Sequence, residues 1–420
     1  MTRLLENHSL DLLARRGLGV VRARTVSSPV EAGRAAAVLG GTVVLKALVP
    51  AGGRGKGGVV RFVMDPAEAE RAADELLRTS FGSFPIEHLL VCERLEIARE
   101  FFASLSFDSM ARAPLLLFSA EGGVEIETLV AERPSALQRR LIDLSLGLRE
   151  FEAREVGARA GLAGRTLVEV ARALGRAYAT FRETDAALLE INPLVETTDG
   201  RVLAASALLT TDDQAAFRHP ELEGLPGQIE NNGWRPLTPL ELEIRAIDRA
   251  DPSSGPIRFN ELEGGDLGFM ITGGGAGLMT LDTVRSLGGR PATTFDIKIG
   301  QIEEKMYQAT RAVLRRPGLK GLITGANFAN FTGVDIKVRG VVRALKDANV
   351  DCTRFPVVMR LCGPNQDEAR RLAAEVPGLE YYDDTVTLEE AVERIIALMG
   401  GQSVGAQLVT DAGSAKDGCS

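Results

Sequence analysis

The chain has 420 residues, too many for one ordinary hydrophobic core, so two or three domains are expected. Its 49 Lys and Arg stand against 57 Asp and Glu, a net charge of −8, and only 5% of residues are aromatic; that balance argues against nucleic acid as the main partner, because phosphate backbones are bound by basic surfaces. Four cysteines form no CxxC pair, His8, His88 and His219 are the only histidines, and no apolar run is long enough to span a bilayer, which together point to a reducing, cytoplasmic setting without a signal peptide.

In chain order, Ser28-Pro29-Val30-Glu31 and Asp65-Pro66-Ala67-Glu68 each supply an N-cap, a proline at the first helical position and a glutamate at N3, which marks two helix starts. Thr42 to Leu48 between them reads as a buried strand, and Leu89 to Glu93, Glu100 to Phe107 and Pro114 to Ser119 read as further strands. Helical periodicity runs from about Pro134 to Phe181 before a last strand, Leu188 to Asn192, so 1–220 is expected to be a mixed α+β domain. Residues 221–264 have the texture of a linker, with one helix-like interval from Thr238 to Ala250. From 265 to 400 the pattern turns regular: strands near Leu267 to Ile271, Thr293 to Asp296, Gly321 to Thr324, Pro356 to Leu361 and Leu379 to Tyr382 alternate with helical segments. This is the signature of a parallel, doubly wound sheet that holds ligands at the carboxyl ends of its strands. The composition of 401–420, rich in Gly, Ser, Ala and Asp, predicts a disordered tail.

Three stretches of the first domain carry chemistry. In Leu189-Glu190-Ile191-Asn192-Pro193-Leu194, strand alternation sends Leu189 and Ile191 into a core and leaves Glu190 and Asn192 on the other face, with Pro193 expected to end the strand. Two neighbouring oxygen donors suit a hard cation such as Mg²⁺ carrying nucleotide phosphates, although two solvated residues at a strand end would look the same. Ala51 to Gly58, with Gly53, Arg54 and Gly55 at its centre, can bring backbone N–H groups and charge to an anion, but it lacks P-loop spacing and a basic hairpin remains an alternative. Lys46 lies in an apolar strand, where a lysine needs an anionic partner, and a nucleotide phosphate is the expected one.

Lys46, the AGGRGKGG loop, Glu121 to Glu127 (EGGVEIE) and LEINPL, in that order and spacing, resemble the ATP-grasp domain of the β subunit of succinyl-CoA synthetase and its relatives, ATP-citrate lyase among them. The resemblance runs from about Glu6 to Gly400. It implies that Lys46 and the loop residues Gly53, Arg54 and Gly55 contact the phosphates of ATP or GTP, that Glu93 and Glu100 lie around the nucleotide, that Asn192 binds Mg²⁺, and that Glu190 acts beside a phosphohistidine of a partner. One departure stands out: where the family carries a second Mg²⁺ ligand, an aspartate, this chain reads Ala204-Ala205-Ser206-Ala207, without a carboxylate.

In the second domain, Gly273 to Gly277 sits between a strand and a helix, where Gly274 and Gly275 can present N–H groups to an anion, although a tight turn needs glycine anyway. Residues 329–332 and Gly363-Pro364-Asn365 look more like the citrate-binding part of ATP-citrate lyase, which implies that Asn330 and Thr332 hydrogen-bond the acid and that Arg360 pairs with a carboxylate; a strand-end ion pair is the alternative for Arg360. The loop from Asp296 to Gly300 departs from both branches, leaving succinate, malate and citrate open. The resemblance therefore implies the β-type half of an ADP-forming acyl-CoA synthetase that needs CoA and an α-type partner in a hetero-oligomer. A nucleotide-binding paralogue without phosphoryl transfer is the alternative, and an ATP-grasp ligase forming amides has less to support it.

Overall fold

The computed structural model describes residues 2–50, 57–123, 126–222, 225, 229–230, 235–251, 254–297, 302–330 and 332–400. The tail at 401–420 and most of the AGGRGKGG loop, including Gly53, Arg54 and Gly55, lie outside them. The chain divides into two compact units, Met1–Pro236 and Leu237–Ser420.

Two antiparallel sheets make up most of the first unit, beside a two-stranded hairpin of Ser80–Phe81 and Phe84–Pro85. The smaller has strand order β1 (Ala23–Val26), β4 (Leu89–Glu93), β2 (Val43–Ala47), β3 (Val60–Val63). Alternation in β2 puts Val43, Leu45 and Ala47 against α2 (Pro29–Leu39) and α3 (Pro66–Leu77) in a shared core, and turns Val44 and Lys46 to the opposite face. Both helices start as their sequences predict: Ser28 and Asp65 cap the N–H groups of Glu31 and Glu68 at 3.4 and 2.8 Å, while the two glutamates reach back to the N–H groups of Ser27 and Met64.

The larger sheet contains β5 (Ile97–Asp108), β6 (Ala113–Ser119), β7 (Leu137–Leu141), β8 (Ala186–Thr197), β9 (Val202–Ala204) and β10 (Ala207–Thr211), in the order β7-β6-β5-β8-β10 with β9 also on β8. Its core face packs Phe101, Ala103, Leu105, Leu189 and Ile191 against α5 (Gly164–Glu183) and α1 (Glu6–Arg15). The helical run predicted from Pro134 to Phe181 is interrupted: Leu137–Leu141 is a strand on β6, and the helical part begins with α4 (Glu150–Arg159). Neighbouring backbone on a sheet edge outweighs side-chain periodicity over so short a stretch. Nor does β8 stop at Pro193. It continues to Thr197 through a cis Asn192–Pro193 peptide and a register shift between Ile191 and Leu194, and the partner side is interrupted at the same level, where Ala205 and Ser206 separate β9 from β10. Pro193 has no N–H to offer, but its carbonyl accepts from Ala205 N–H at 3.0 Å, so a shared irregularity replaces the strand end.

The second unit is a doubly wound sheet. Parallel strands β12 (Leu267–Thr272), β14 (Gly321–Ala326), β15 (Val357–Arg360) and β16 (Leu379–Tyr382) lie side by side in that order, and β13 (Thr293–Ile297) runs next to β12. The Thr293 hydroxyl both accepts from Phe269 N–H and donates to Phe269 O, at 2.9 Å each, joining β13 to β12 where the ladder is sparse. Phe269, Ile271, Ile323 and Val358 face α7 (Gly275–Ser286) and α11 (Leu388–Met399); Met270, Leu322, Val357 and Met359 face α8 (Glu303–Leu314), α9 (Val334–Asp347) and α10 (Gln366–Ala373). The expected linker is a correction in its second half, because from residue 237 it belongs to this unit. Helix α6 (Pro239–Ala250) is pinned by the buried Lys305, whose ammonium lies 2.8 Å from Asp248, and β11 (Ile257–Glu261) pairs antiparallel with β13.

Candidate functional site

In the first unit the residues singled out by sequence converge on the irregularity of β8. Glu190 and Asn192 share the face opposite the core, as alternation requires, and both are half-buried. Asn192 Oδ1 accepts from Gly123 N–H at 3.0 Å, which ties the EGG turn to β8. Gly123 has φ +70°, and a Cβ there would stand 1.7 Å from Glu100 Oε2; the glycine is required both by backbone conformation and by the carboxylate that packs on it. Gly122 N–H donates to Glu100 O at 2.9 Å. Desolvation raises the Glu100 carboxyl above its ordinary range.

Lys46 comes to the same place from the smaller sheet. Its ammonium lies 2.8 Å from Glu6 Oε1 and 2.8 Å from the carbonyl of Ala205, the residue before Ser206. Sequence reading gives Lys46 a nucleotide phosphate as its anion; in the structure the Glu6 carboxylate takes that position, with only 1% of its side chain exposed. Ser206 itself lies across from Asn192 and accepts its N–H at 3.2 Å through the main-chain carbonyl. Glu93 is more remote in role: its two oxygens take Arg22 N–H at 2.9 Å and Arg22 Nε at 2.6 Å, closing the β1–β4 edge.

A Mg²⁺ would have to fit this donor set. Among the described residues no group of three or more His, Cys, Asp or Glu could hold a metal. Mg²⁺ keeps several waters and binds through one or two protein oxygens together with phosphates, and a carboxamide oxygen with two lone pairs is not closed by one N–H contact. Asn192 and the hydroxyl of Ser206, with Glu190 two residues away on the same face, fit a cation that arrives with a nucleotide, one carboxylate poorer than a full site.

The second unit holds a cavity of about 820 Å³ at the carboxyl ends of β12, β13 and β14, where the topology predicts it. Asn330 and Thr332 line it, together with Thr272, Gly273, Asp296 and Lys337. Gly273 (φ +109°) and Gly274 (φ +43°) make the turn into α7, Gly275 is the first helical residue, and Gly273 N–H donates to Asp296 Oδ1 at 2.9 Å. Of the three glycines, Gly273 lines the cavity and Gly274 and Gly275 do not. Arg360 is elsewhere: buried, it donates to the carbonyls of Val386 (2.8 Å), Ala326 (3.1 Å) and Asn327, and does not line the cavity. In place of the expected carboxylate contact, Arg360 makes three carbonyl contacts, which tie the turn after β14 to the segment before α11. The Gly363-Pro364-Asn365 turn is bound to the start of α9 by Asn365 Nδ2 to Asp335 Oδ1, and Cys362 just before it accepts Ala329 N–H from the loop after β14.

Sequence reasoning missed Lys337. It sits on the apolar face of α9, three residues after Val334 and four before Val341, and donates to Thr272 Oγ1 at 2.8 Å. Burial lowers its ammonium to about 8, against the opposing effect of Asp296. A charge at a core position of an amphipathic helix was the available signal, the same one that marked Lys46 in a strand. Glu6 gave none, since an acid in the first turn of a helix reads as a dipole partner.

An ATP-grasp nucleotide unit followed in one chain by a doubly wound unit with an anion-suited cavity defines the β-type chain of an acid–CoA ligase. The comparisons agree: residues 3–196 match the family described as ATP-grasp domain, and residues 235–392 the one described as ATP citrate lyase citrate-binding. The chain is 38% identical over 398 residues to the β subunit of the GDP-forming succinate–CoA ligase of Thermus thermophilus, covering 95% of this chain and 99% of that one. It is 35% identical over 404 residues to the β subunit of the ADP-forming enzyme of Chloroflexus aurantiacus, covering 95% and 100%. The solved structure of ATP citrate lyase from Methanothrix soehngenii, in complex with citrate and coenzyme A, superposes with a TM-score of 0.77 at 20% identity over 95% of this chain and 99% of that one, a likeness of fold. The chain belongs to the succinate–CoA ligase β-subunit family. Among the described residues no helix is long and apolar enough to cross a membrane.

Proposed function

We propose that this chain is the nucleotide-binding subunit of a ligase that joins a di- or tricarboxylic acid to CoA, with an α-type partner carrying the phosphorylated histidine. The observation that carries the proposal is the convergence of Lys46, Glu100, Gly123, Glu190 and Asn192 on one irregular strand level, as a phosphate-handling site requires. The γ-phosphoryl group of ATP or GTP passes to a histidine nitrogen of the partner, releasing the nucleoside diphosphate. A carboxylate of the acid then takes the phosphoryl group from histidine to give an acyl phosphate, and the CoA thiol displaces phosphate to give the thioester.

In this scheme Lys46 balances phosphate charge, and Glu190 orients the partner's imidazole. Mg²⁺, held through Asn192 and Ser206, would neutralise charge on the phosphates. The acid is held in the second unit by Asn330 and Thr332, while Arg360 keeps their loop in shape. The test is to purify the chain from its own cells, supply γ-labelled ATP with Mg²⁺, and follow acid-labile label on the co-purifying chain. Discharge by CoA with succinate, malate or citrate is expected, and absence of label with the partner present overturns phosphoryl transfer. Ser206 favours a second reading, a subunit that binds nucleotide without transferring phosphate; it predicts nucleotide affinity indifferent to Mg²⁺ and no label.

A further inference from the structure

The second unit buries a charge that its fold does not need. Lys337 is 8% exposed on the apolar face of α9, and it is among the residues that line the cavity. Of its three N–H donors one goes to the Thr272 hydroxyl, its one hydrogen-bond partner among the described residues. Asp296 acts on it through space, but one Asp296 oxygen already takes Gly273 N–H. A lysine held this way is destabilising unless an anion enters beside it. The cavity suits such an anion: Gly273 and Ala276 at the start of α7, and Thr332 and Lys337 at the start of α9, line its walls, bringing two positive helix ends to the same space as the ammonium. Asn330 and Thr332 add neutral polar groups to the lining.

We propose that Lys337 determines the acid specificity of the ligase: its ammonium pairs with the substrate carboxylate remote from the one being activated, so that the cavity selects dicarboxylic and tricarboxylic acids over monocarboxylic acids of equal length. The inference rests on the reading that this cavity holds the acid. Lys337 forms and breaks no covalent bond; it discriminates by charge. A phosphate group presents the same anionic oxygens, and the test separates the two sources.

Titration calorimetry on the full chain would compare succinate, citrate, butyrate and inorganic phosphate for the wild type, Lys337→Met, Lys337→Arg and the double variant Asn330→Ala/Thr332→Val. Butyrate has the four-carbon chain of succinate and one carboxylate fewer. The expected result is that Lys337→Met loses roughly 10- to 100-fold in succinate and citrate affinity, the worth of a hydrogen bond to a charged group. Butyrate binding should hardly change, and Lys337→Arg should recover much of the loss. Succinate binding by Lys337→Met at the wild-type level, with the Asn330/Thr332 variant weakened, overturns the role of Lys337 and leaves the cavity reading standing. If the wild type binds no acid, or binds phosphate alone, both fall together. A thermal transition of Lys337→Met at or above that of the wild type certifies the variant as folded.

Discussion

Replacing Lys46 by methionine tests the most consequential contact in the first unit. The Lys46 and Glu6 side chains are 15% and 1% exposed, so the methionine variant takes the Lys46 cation away from a buried carboxylate. Breaking a buried pair from one side costs about 3–5 kcal/mol, and the partial exposure of Lys46 argues for the lower end, roughly 3 kcal/mol. At about 2–4 °C per kcal/mol for a unit of this size, the transition of the first unit should fall by about 6–12 °C without any nucleotide present. Differential scanning calorimetry of the nucleotide-free chain measures this directly. Adding Glu6→Gln removes the charge of that carboxylate, so the double variant should regain part of the loss, and Glu6→Gln alone should keep nucleotide affinity that Lys46→Met lacks. A nucleotide-free Lys46→Met variant that melts within about 1 °C of the wild type, well inside the shift expected for a broken buried pair, would refute the pairing and return Lys46 to a purely phosphate-binding role.

Ser206→Asp should lower the Mg²⁺ concentration needed for phosphoenzyme formation by roughly tenfold, equivalent to about 1.4 kcal/mol; an unchanged Mg²⁺ titration would show that Asn192 and Glu190 already complete the site. Gly123→Ala should destabilise the first unit by about 1–3 kcal/mol in urea unfolding, through a positive φ and collision with Glu100, and Glu100→Ala should relieve part of that. Stability against pH should report Lys337: its pKa is about 8 folded against 10.5 for an ordinary lysine, so the unfolded chain binds more protons between those values and this lysine becomes less destabilising as pH rises through that window. Lys337→Met should therefore be more stable than the wild type at pH 7, by up to roughly 3 kcal/mol, with the advantage gone above about pH 10.5. A difference that stays constant from pH 7 to 10.5 would contradict the burial of a charged lysine.

Much of this was legible before the structure. Regular β/α alternation gave the second sheet nearly strand for strand, since buried parallel strands are continuous apolar runs, and the two proline-led caps placed α2 and α3. What was not legible depended on partners distant in sequence. Leu137–Leu141 is a strand because β6 lies next to it, and β8 passes Pro193 because Ala205 meets the proline carbonyl across the gap. At the candidate sites, alternation put Glu190 and Asn192 on the face where they lie, and the resemblance pointed to Asn330 and Thr332, which line the cavity, whereas the use of Arg360 and Glu93 could not be read: an arginine beside a turn can bind a substrate or a carbonyl, and only the neighbouring main chain decides.

The carbonyl oxygens where parallel strands end and turn carry partial negative charge, and those left unpaired beside a cavity would oppose a polyanionic guest. Arg360, by drawing the carbonyls of Ala326, Asn327 and Val386 onto one guanidinium, cancels part of that field without touching the guest. Its charge screens the scaffold, so loss of Arg360 should weaken anionic acids in proportion to their charge, citrate more than succinate.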